Sequence, residues 1–471
     1  MSIKTQLAII GAGPGGYAAA FYAADLGMQV TLIDMEKNPG GVCLYRGCIP
    51  SKALLHVAKL INEAEEADKF GINFGKPEID INKLREFKNN VVNKLTGGLG
   101  QLGKQRKVNY INGKATFLNS NTLSVAKLDG SSETVEFEKA IIATGSIPAR
   151  IPNLSINSNR VMDSTAALEL SDIPERLLVI GGGYIGLELS TVYSALGSKV
   201  TVVEMLPGLL PGADRDLVAV LERKLKTKLN IYVETKVTEI TEVNDGIKVK
   251  LEGKNVTEPE MIFDKVLISI GRKPVTDGFG LENTKVKVNE KGFIVVDKQL
   301  RTDDPNIYAI GDVVGNPMLA HKASAEGKVA VEAILGKKSV FEPNAIPAVV
   351  FTDPEIAWAG ITETEAQSKG IKYEVAKFPW GASGRATTLD RNDGLTKLII
   401  EPETERIIGI GLVGVNAGDL ISEGTLAIEM GATVKDLELT IHPHPTLSET
   451  MMFAAEVFYG HATDLYRPKR K

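Results

Sequence analysis

The strongest constraint on the fold is a glycine-rich turn between a strand and a helix near the N-terminus. An apolar run that begins at Leu7 leads directly into Gly11-x-Gly13-x-x-Gly16, and an alanine-rich stretch follows at residues 17–26. The run is typical of a buried parallel strand, and the stretch after the glycines is typical of a helix. Glycines at this spacing permit a tight turn and let backbone N–H groups at the helix N-terminus approach a pyrophosphate. The pattern therefore predicts a dinucleotide-binding unit.

An acidic residue at the end of the next strand supports the same interpretation. Residues 29–34 form a second apolar run that ends on Asp34, 18 positions after Gly16. A carboxylate at this place is suited to accept hydrogen bonds from a ribose hydroxyl. A lone glycine-rich turn can be purely structural, but strand, glycines, helix, strand and acid in this order favour a nucleotide cofactor.

The same arrangement occurs a second time. Gly181-x-Gly183-x-x-Gly186 follows another apolar run, and residues 199–204 end on Glu204, again 18 positions after the last glycine. Two such units predict an α/β fold with two Rossmann-like dinucleotide-binding domains. A 2′-phosphate would be repelled by Glu204, and the next ten positions contain no arginine, so the second unit is expected to prefer NAD over NADP.

Further strands complete the repeat, and a different pattern follows it. The run 305–312 ends on Gly-Asp, which places Asp312 at the carboxyl edge of a sheet, where open α/β folds bind ligands. The alternative is a simple turn aspartate.

From residue 346 the pattern predicts a third, mixed α+β domain, with strands at 348–356 and 395–400 and helices at 361–369 and 419–430.

Composition limits the classes to which the chain can belong. Its 471 residues are 43% hydrophobic, enough for about three domains with ample cores. A net charge of −5 argues against general nucleic-acid binding. No uninterrupted apolar run reaches the length of a membrane span, and residues 1–11 have the pattern of a strand rather than of a signal peptide. We therefore expect no membrane span and a cytoplasmic location, and we interpret the basic residues 467–471 as a solvated end.

Both cysteines, Cys43 and Cys48, lie in one short segment with four residues between them. A disulfide across so short a loop constrains little unfolded-chain entropy, so a purely stabilising role is disfavoured. A metal site would need more ligands, and only His56 of the five histidines is close in sequence. A local pair is suited to thiol–disulfide exchange, in which one thiolate attacks and the other resolves the mixed disulfide. Buried, inert cysteines are the alternative.

A second candidate for chemistry is the segment 441–449, Ile-His-Pro-His-Pro-Thr-Leu-Ser-Glu. His442 and His444 are separated by one proline and followed by another, so at least one ring is expected to be held rigidly. Glu449, at the start of a predicted helix 447–459, could accept a hydrogen bond from one imidazole nitrogen and leave the other as a base. A pair of surface histidines in a proline-rich loop is the alternative.

These segments together carry a family resemblance along the whole chain. GGVCLYRGCIPSKALLH, IIATGS, GGGYIGLE, ISIGRKP, YAIGDV, MLAHKASAEG and HPHPTLSE occur in the order found in the dithiol flavoprotein disulfide reductases, the class I pyridine nucleotide-disulfide oxidoreductases. The chain most closely resembles their dihydrolipoyl dehydrogenase branch. The resemblance implies an FAD-binding domain at 1–150, an NAD-binding domain at 151–273, a segment 274–345 that completes the FAD-binding region, and a C-terminal α+β dimerisation domain at 346–471 that forms a homodimer.

The resemblance also implies a role for each residue of the dithiol site. Cys43 exchanges with substrate and Cys48 contacts the flavin. His444, rather than His442, is the base, oriented by Glu449 and reaching the dithiol of the other subunit. An ion pair between Lys52 and Glu188 lies beside the flavin ring, while Asp312 contacts the ribityl chain and Ala320 the isoalloxazine. Together with Gly11, Gly13, Gly16, Asp34, Gly181, Gly183, Gly186 and Glu204, the implied cofactor contacts are Gly41, Val42, Ala115, Thr144, Gly145, Ser146, Tyr184, Ile185, Val237, Gly271, Met318, Leu319 and His321.

The implied reaction is oxidation of protein-bound dihydrolipoyl groups to lipoyl with reduction of NAD⁺. The implied partners are a lipoylated acyltransferase or carrier protein and the acyltransferase core of a 2-oxoacid dehydrogenase complex. The sequence leaves open which complex is served, whether that for pyruvate, 2-oxoglutarate or branched-chain oxoacids, or the glycine cleavage system.

The same residues disfavour several related activities. Mercuric reductases carry a further C-terminal cysteine pair, which this chain lacks. Glutathione and trypanothione reductases use NADPH, which Glu204 disfavours, and energy-linked transhydrogenases of similar layout lack the dithiol. A non-catalytic subunit that binds the core is disfavoured by the intact cysteines and base.

One departure from the family pattern is Tyr45-Arg46 between the cysteines, where many members have Asn-Val. We expect these residues to alter the electrostatics of the dithiol, with Arg46 stabilising a thiolate.

Overall fold

Two parallel sheets of similar plan carry the two glycine-rich turns. The computed structural model describes residues 2–151, 154 and 156–466, so the basic segment 467–471 lies outside the described residues. The helices and strands of the first unit, up to residue 148, are β1 Ile3–Ile10, α1 Pro14–Asp25, β2 Val30–Asp34, α2 Gly41–Arg46, α3 Cys48–Glu66, α4 Ile81–Gln105, β3 Asn109–Asn119, β4 Thr122–Lys127, β5 Ser132–Ile142 and β6 Ser146–Pro148.

The first sheet has a parallel core in the order β3-β2-β1-β5, with later residues adding one more strand beside β5. β3 and β5 extend beyond this core and pair with β4 in antiparallel fashion, as expected for the alternating pattern there. The side chains of β1 from Leu7 to Ile10 are buried, which explains the unbroken apolar run before the glycines.

The second unit repeats the plan. Its elements are β7 Val161–Met162, α5 Ser164–Glu169, β8 Arg176–Ile180, α6 Tyr184–Ala195, β9 Lys199–Val203, α7 Arg215–Leu225, β10 Asn230–Tyr232, β11 Thr235–Val243, β12 Gly246–Gly253, β13 Glu260–Phe263, β14 Lys265–Ile268 and β15 Arg272–Pro274. A parallel sheet in the order β10-β9-β8-β14-β7 is accompanied by the antiparallel strands β11-β12-β13. β15 returns to pair with β6, which links the two units.

The remaining residues complete the first sheet and form a third. They contain β16 Ile307–Ala309, α8 Ala320–Ile334, β17 Ala348–Val350, β18 Glu355–Gly360, α9 Glu363–Lys369, β19 Glu374–Pro379, α10 Gly384–Thr388, β20 Leu395–Ile400, β21 Ile407–Gly414, α11 Ala417–Glu429, α12 Val434–Leu439 and α13 Glu449–Tyr459. β16 joins the first sheet in parallel beside β5, and α8 packs against α1. β17-β18-β21-β20-β19 form an antiparallel sheet. The predicted fold class, two Rossmann-like units followed by an α+β domain, is confirmed.

The predicted strand 348–356 is wrong in one respect, because the structure divides it into β17 and β18. Pro354 has no N–H with which to continue the pairing. The N–H of Phe351 is also diverted, since it donates to the carboxylate of Glu188 at 3.1 Å. The break in the strand thus places Phe351, which belongs to the third domain, in contact with Glu188 of the second unit.

A buried ion cluster joins the second unit to the third domain. Lys397, on β20, is fully buried, and its ammonium lies 2.8 Å from Asp214 and 3.0 Å from Asp216 at the start of α7. The same ammonium also contacts Glu363 at the start of α9. Groups of opposite charge therefore join the third sheet to the second unit. None of the described helices has the length and apolar character needed to cross a membrane.

Candidate active site

A cleft of about 560 Å³ lies where the two units face one another. Its walls come from the turn after β1, the end of β2, α2, the start of α3, the N-terminal turn of α6 and the segment after β16. The predicted site residues that line it are Gly11, Gly13, Asp34, Gly41, Val42, Cys43, Cys48, Lys52, Ala115, Thr144, Gly145, Ser146, Tyr184, Ile185, Glu188, Asp312, Met318 and Ala320.

The glycine turn and the start of α2 together form a place for a pyrophosphate. Gly13 is the N-cap of α1, and Gly40 is the N-cap of α2. A Cβ added to Gly41 would come within 2.5 Å of the Gly13 Cα, so side chains are excluded where the two helix starts meet. Unpaired backbone N–H groups at a helix N-terminus favour an anion. The described residues therefore fit an extended dinucleotide such as FAD.

Asp34 holds the glycine turn as well as facing the cleft. Its carboxylate accepts hydrogen bonds from the Ala12 N–H at 2.6 Å and from the Glu36 N–H at 2.9 Å. Burial raises the pKa of Asp34, and the Ala12 N–H and the positive charge of Arg46 oppose that rise. The predicted ribose ligand is thus also a structural anchor of the turn.

The two cysteines lie at adjoining helix ends. Cys43 is in α2 and Cys48 begins α3, with only Gly47 between the helices; a Cβ at Gly47 would meet the Val42 carbonyl oxygen at 2.9 Å. Both thiols are free in this structure, and Cys48 is the more exposed. The hydrogen bond from the Cys43 thiol lowers the pKa of Cys48 to about 7, helped by the charge of Lys52, whereas that bond and burial raise the pKa of Cys43. Cys48 is therefore the more acidic thiol of the pair and the one that ionises first.

Lys52 and Glu188 form an ion pair within the cleft. The Lys52 ammonium lies 2.8 Å from Glu188 Oε2, and the Glu188 side chain is almost fully buried. The other carboxylate oxygen accepts the Phe351 N–H at 3.1 Å, and the Phe351 ring lies under the ammonium at 4.6 Å. Sequence reasoning missed Phe351, because neither spacing nor residue type marks a backbone N–H 163 positions from its acceptor.

A second network holds Asp312. The Ser146 hydroxyl donates to Asp312 Oδ2 at 2.5 Å, and Arg272 donates to both the hydroxyl and the carbonyl oxygen of Ser146 at 2.6 Å. The Gly311 N–H donates to the buried carboxylate of Glu326 at 2.7 Å, and Glu326 pairs with Lys322. Arg272, Glu326 and Lys322 were not predicted, although Arg272 lies inside the recognised segment ISIGRKP and Lys322 and Glu326 inside MLAHKASAEG.

Glu204 and the glycines of the second glycine-rich turn, which are predicted to bind a nucleotide, lie outside this cleft. Glu204 accepts the Gly182 N–H at 2.7 Å and the Leu206 N–H at 2.8 Å, an arrangement equivalent to that of Asp34. A Cβ at Gly186 would lie 2.2 Å from the Gly181 carbonyl oxygen, and Gly16 has the same relation to Gly11 at 1.9 Å. These two last glycines therefore serve the close packing of strand and helix.

Several predicted residues do not line the cleft. Gly181, Gly183, Gly186, Glu204, Val237 and Gly271 belong to the second unit, Gly16 is internal to its turn, and Leu319 and His321 lie beside the cleft-lining residues Met318 and Ala320. The His321 ring faces outward to the Pro347 carbonyl oxygen at 2.8 Å.

The two histidines of the C-terminal segment have different surroundings. His444 Nδ1 lies 2.8 Å from Glu449 Oε1, and Glu449 Oε2 accepts the Thr446 N–H at 2.7 Å. The His444 side chain is 77% exposed while that of Glu449 is 7% exposed, so a fixed carboxylate orients a ring whose other nitrogen is accessible. His442 is bonded through both nitrogens, to the Thr440 carbonyl oxygen and to Glu423. Neither His444 nor Glu449 lines the cleft of its own chain.

Arg46 does not lie where it was expected. Its guanidinium pairs with Glu36, and the charged groups that act on Cys48 are Lys52 and Glu188. The expectation that Arg46 stabilises a thiolate is therefore wrong in this structure, because the side chain extends towards the end of β2 instead of towards the sulfur atoms.

Comparisons with known proteins agree with this geometry. Residues 5–327 match the family model for pyridine nucleotide-disulphide oxidoreductase, and residues 346–455 match the dimerisation domain of that family. The dihydrolipoyl dehydrogenase of Vibrio cholerae is 52% identical, over 100% of this chain and 98% of its own, and that of Haemophilus influenzae is 50% identical with the same coverage.

Solved structures show the same architecture. LpdA of Mycobacterium tuberculosis has a TM-score of 0.88 at 27% identity, covering 96% of this chain and 99% of its own. The HOCl-induced flavoprotein disulfide reductase RclA of Escherichia coli, in a Cu(II) complex, has a TM-score of 0.85 at 30% identity, covering 97% and 99%. The chain belongs to the pyridine nucleotide-disulphide oxidoreductase family.

Proposed function

We propose that this chain oxidises dihydrolipoyl groups to lipoyl with NAD⁺ as the final acceptor, the reaction of a dihydrolipoyl dehydrogenase. The observation that carries the proposal is the Cys43–Cys48 dithiol at the wall of a dinucleotide cleft. The identity of about 50% to dihydrolipoyl dehydrogenases along the whole chain supports this substrate over other disulfides.

FAD is the cofactor that we assign to the cleft. The helix starts at Gly13 and Gly41 would hold its pyrophosphate, Asp34 its ribose, and Asp312 its ribityl chain. When bound, FAD accepts two electrons from the dithiol and passes them to NAD⁺. NAD is assigned to the second unit, where Glu204 occupies the position of a ribose ligand.

The residues divide the thiol chemistry between them. His444 takes the proton from one substrate thiol, and the resulting thiolate attacks the Cys43 sulfur of the oxidised Cys43–Cys48 bridge. The bridge breaks, Cys48 leaves as a thiolate, and substrate and Cys43 are joined by a mixed disulfide. The second substrate sulfur then attacks the first, which breaks the bond between the substrate and the Cys43 sulfur and closes the lipoyl ring. The proton of the second substrate thiol passes to the Cys43 sulfur that is released.

The state reached at the end of these steps has the distribution of protons that the electrostatics of the cysteines favours. It contains a Cys43 thiol, a Cys48 thiolate and a protonated His444. The raised pKa of Cys43 and the lowered pKa of Cys48 favour this distribution of protons, because the thiol donates to the thiolate and Lys52 adds a positive charge. Glu449 stabilises the positive charge on His444 through the bond to Nδ1.

A homodimer is part of the proposal. The matched dimerisation domain supports it, and so does the separation of His444 from the cleft of its own chain. The substrate would be a lipoyl group carried on a separate acyltransferase or carrier protein of a 2-oxoacid dehydrogenase or glycine cleavage complex. A working free dithiol suits a reducing compartment such as the cytoplasm.

The test is a substrate comparison with purified, FAD-loaded protein. Dihydrolipoamide with NAD⁺ should be turned over, while NADP⁺ and, in the reverse direction, glutathione disulfide should support at most a small fraction of that rate. A preference for glutathione disulfide and NADPH would contradict the assignment. Absence of flavin reduction by NADH would indicate a scaffold rather than an enzyme.

A further inference from the structure

Tyr45 and Arg46, the two residues that depart from the family pattern, contact the same short segment of chain. The Tyr45 hydroxyl donates to the Asn38 carbonyl oxygen at 3.1 Å and accepts the Asn38 N–H at 3.3 Å. The Arg46 guanidinium forms an ion pair with Glu36. Both partners lie between the end of β2 and the start of α2, so the last turn of the cysteine-bearing helix is tied to the wall that contains Asp34.

The segment that receives these contacts is itself held firmly. The Glu36 carbonyl oxygen accepts the Tyr110 hydroxyl at 2.7 Å and the Asn112 side chain at 2.8 Å, both from β3. The Glu36 N–H donates to Asp34. Tyr45 and Arg46 therefore attach α2 to the parallel sheet rather than to a free loop.

The position of the ion pair connects it to the cofactor. Glu36 and Arg46 line the same cleft as Asp34, Cys43 and Cys48, at the end where β2 finishes. The positive charge of Arg46 also acts on Asp34, where it opposes the rise in pKa caused by burial. A molecule that fills the cleft from Asp34 to the dithiol lies against both α2 and this wall.

We propose that Tyr45 and Arg46 fasten α2 to the segment 36–38 and thereby retard the escape of FAD from the cleft. The wall that contains Asp34 and the helix that carries Cys43 cannot separate without breaking the Tyr45–Asn38 and Arg46–Glu36 contacts. The two residues are thus cofactor-retaining positioning residues. The inference rests on the proposed FAD site but not on which disulfide the enzyme uses.

The contacts should have a moderate and measurable effect. Loss of a neutral hydrogen bond corresponds to about 2- to 10-fold in a rate or equilibrium. A partly exposed ion pair corresponds to about 2- to 5-fold. We therefore expect Tyr45→Phe, Arg46→Met and Glu36→Gln each to accelerate FAD release by a few-fold.

The experiment follows release of FAD from the intact holoenzyme. Each variant is placed in guanidinium chloride too dilute to change the far-ultraviolet circular dichroism, and the rise of flavin fluorescence is recorded. Because Arg46 and Glu36 contribute one interaction, Arg46→Met combined with Glu36→Gln should release FAD about as fast as either single variant. Lys37→Met, which removes an exposed charge from the same segment, should release FAD at the wild-type rate.

Other outcomes would overturn the inference. Faster release in Arg46→Met but not in Glu36→Gln would mean that Arg46 binds the cofactor directly. Wild-type release in Tyr45→Phe, Arg46→Met and Glu36→Gln would remove the role altogether, and so would an Arg46→Met effect confined to the pH dependence of the dithiol. A wild-type chain that takes up no FAD would contradict the proposed function as well, whereas an FAD-loaded chain with unaltered release in the variants would contradict this inference alone.

Discussion

Removing either charge of the Lys52–Glu188 pair should move the pKa of Cys48, and in opposite directions. Lys52 is four residues after Cys48 on α3, so the two side chains are neighbours on one helix face. For the separation of about 6 Å that is general for side chains four residues apart on a helix, and an effective dielectric constant of about 20, one positive charge stabilises a thiolate by about 2.8 kcal/mol, or roughly two pKa units. Glu188, 2.8 Å from the Lys52 ammonium, opposes this effect, and its negative charge acts on Cys48 less strongly than the positive charge of Lys52.

Lys52→Met should therefore raise the pKa of Cys48 from about 7 by roughly one to two units. Glu188→Gln should lower the pKa of Cys48, by less than Lys52→Met raises it. The thiolate is present above its pKa and lost below it, so the thiolate population moves to higher pH in the first variant and to lower pH in the second. Lys59→Met, farther along the same helix, is the matched control and should leave the pKa unchanged.

The assay is a pH titration of the two-electron-reduced holoenzyme under anaerobic conditions. The long-wavelength absorption that arises when a thiolate lies against the flavin is recorded at each pH, and its midpoint reports the cysteine. A shift of both variants in the same direction, or an unchanged midpoint in Lys52→Met, would refute the electrostatic account of the site.

Three further predictions concern the remaining site residues. Cys48→Ser should bind FAD but lose the long-wavelength absorption, whereas Cys43→Ser should show it without turnover; the reverse result would exchange the two roles. Glu204→Gln should weaken NAD⁺ binding by about 5- to 100-fold and reduce the preference of the enzyme for NAD⁺ over NADP⁺. The substitution removes the charge of an acceptor that serves the Gly182 and Leu206 N–H groups as well as the ribose. An unchanged Kd for both nucleotides would contradict this prediction. His444→Gln should lower kcat by roughly 10²–10⁴-fold and Glu449→Gln by less, while mixed dimers of Cys43→Ser and His444→Gln chains should recover activity. Verified heterodimers that stay inactive would place the base in its own subunit.

The elements that the sequence predicted are those with a local signature. The run before Gly11 and the repeat at Gly181 gave both parallel sheets, because burial on two faces produces unbroken apolar strands. The break between β17 and β18 was missed, because the apolar run 348–351 was extended through Thr352, Asp353 and Pro354 as a single strand. Sequence reasoning placed Asp34 and Glu204 at the nucleotide ends, but not their backbone bonds to Ala12 and Gly182.

The residues that sequence reasoning missed act through distant contacts. Phe351 donates its backbone N–H to Glu188. Any residue except proline could supply that group, so the residue type at this position does not indicate the contact. Arg46 was assigned to the wrong partner for a related reason. Proximity in sequence to Cys43 and Cys48 suggested a thiolate, whereas the direction of α2 carries the side chain to Glu36.

The geometry of Glu449 bears directly on the proposed homodimer. Both of its oxygens are used, one by the Thr446 N–H and one by His444, although the carboxylate is buried and the ring beyond it is exposed. Burial of a carboxylate is costly unless the carboxylate is hydrogen-bonded and paired with a positive charge. An imidazole that gains a proton supplies that positive charge. The exposed ring nitrogen then needs a thiol to act on, yet the cleft of the same chain is not lined by His444. A two-fold axis that brings His444 of each chain to Cys43 of the other would give two complete sites from two incomplete ones, which is the arrangement that an isologous interface permits.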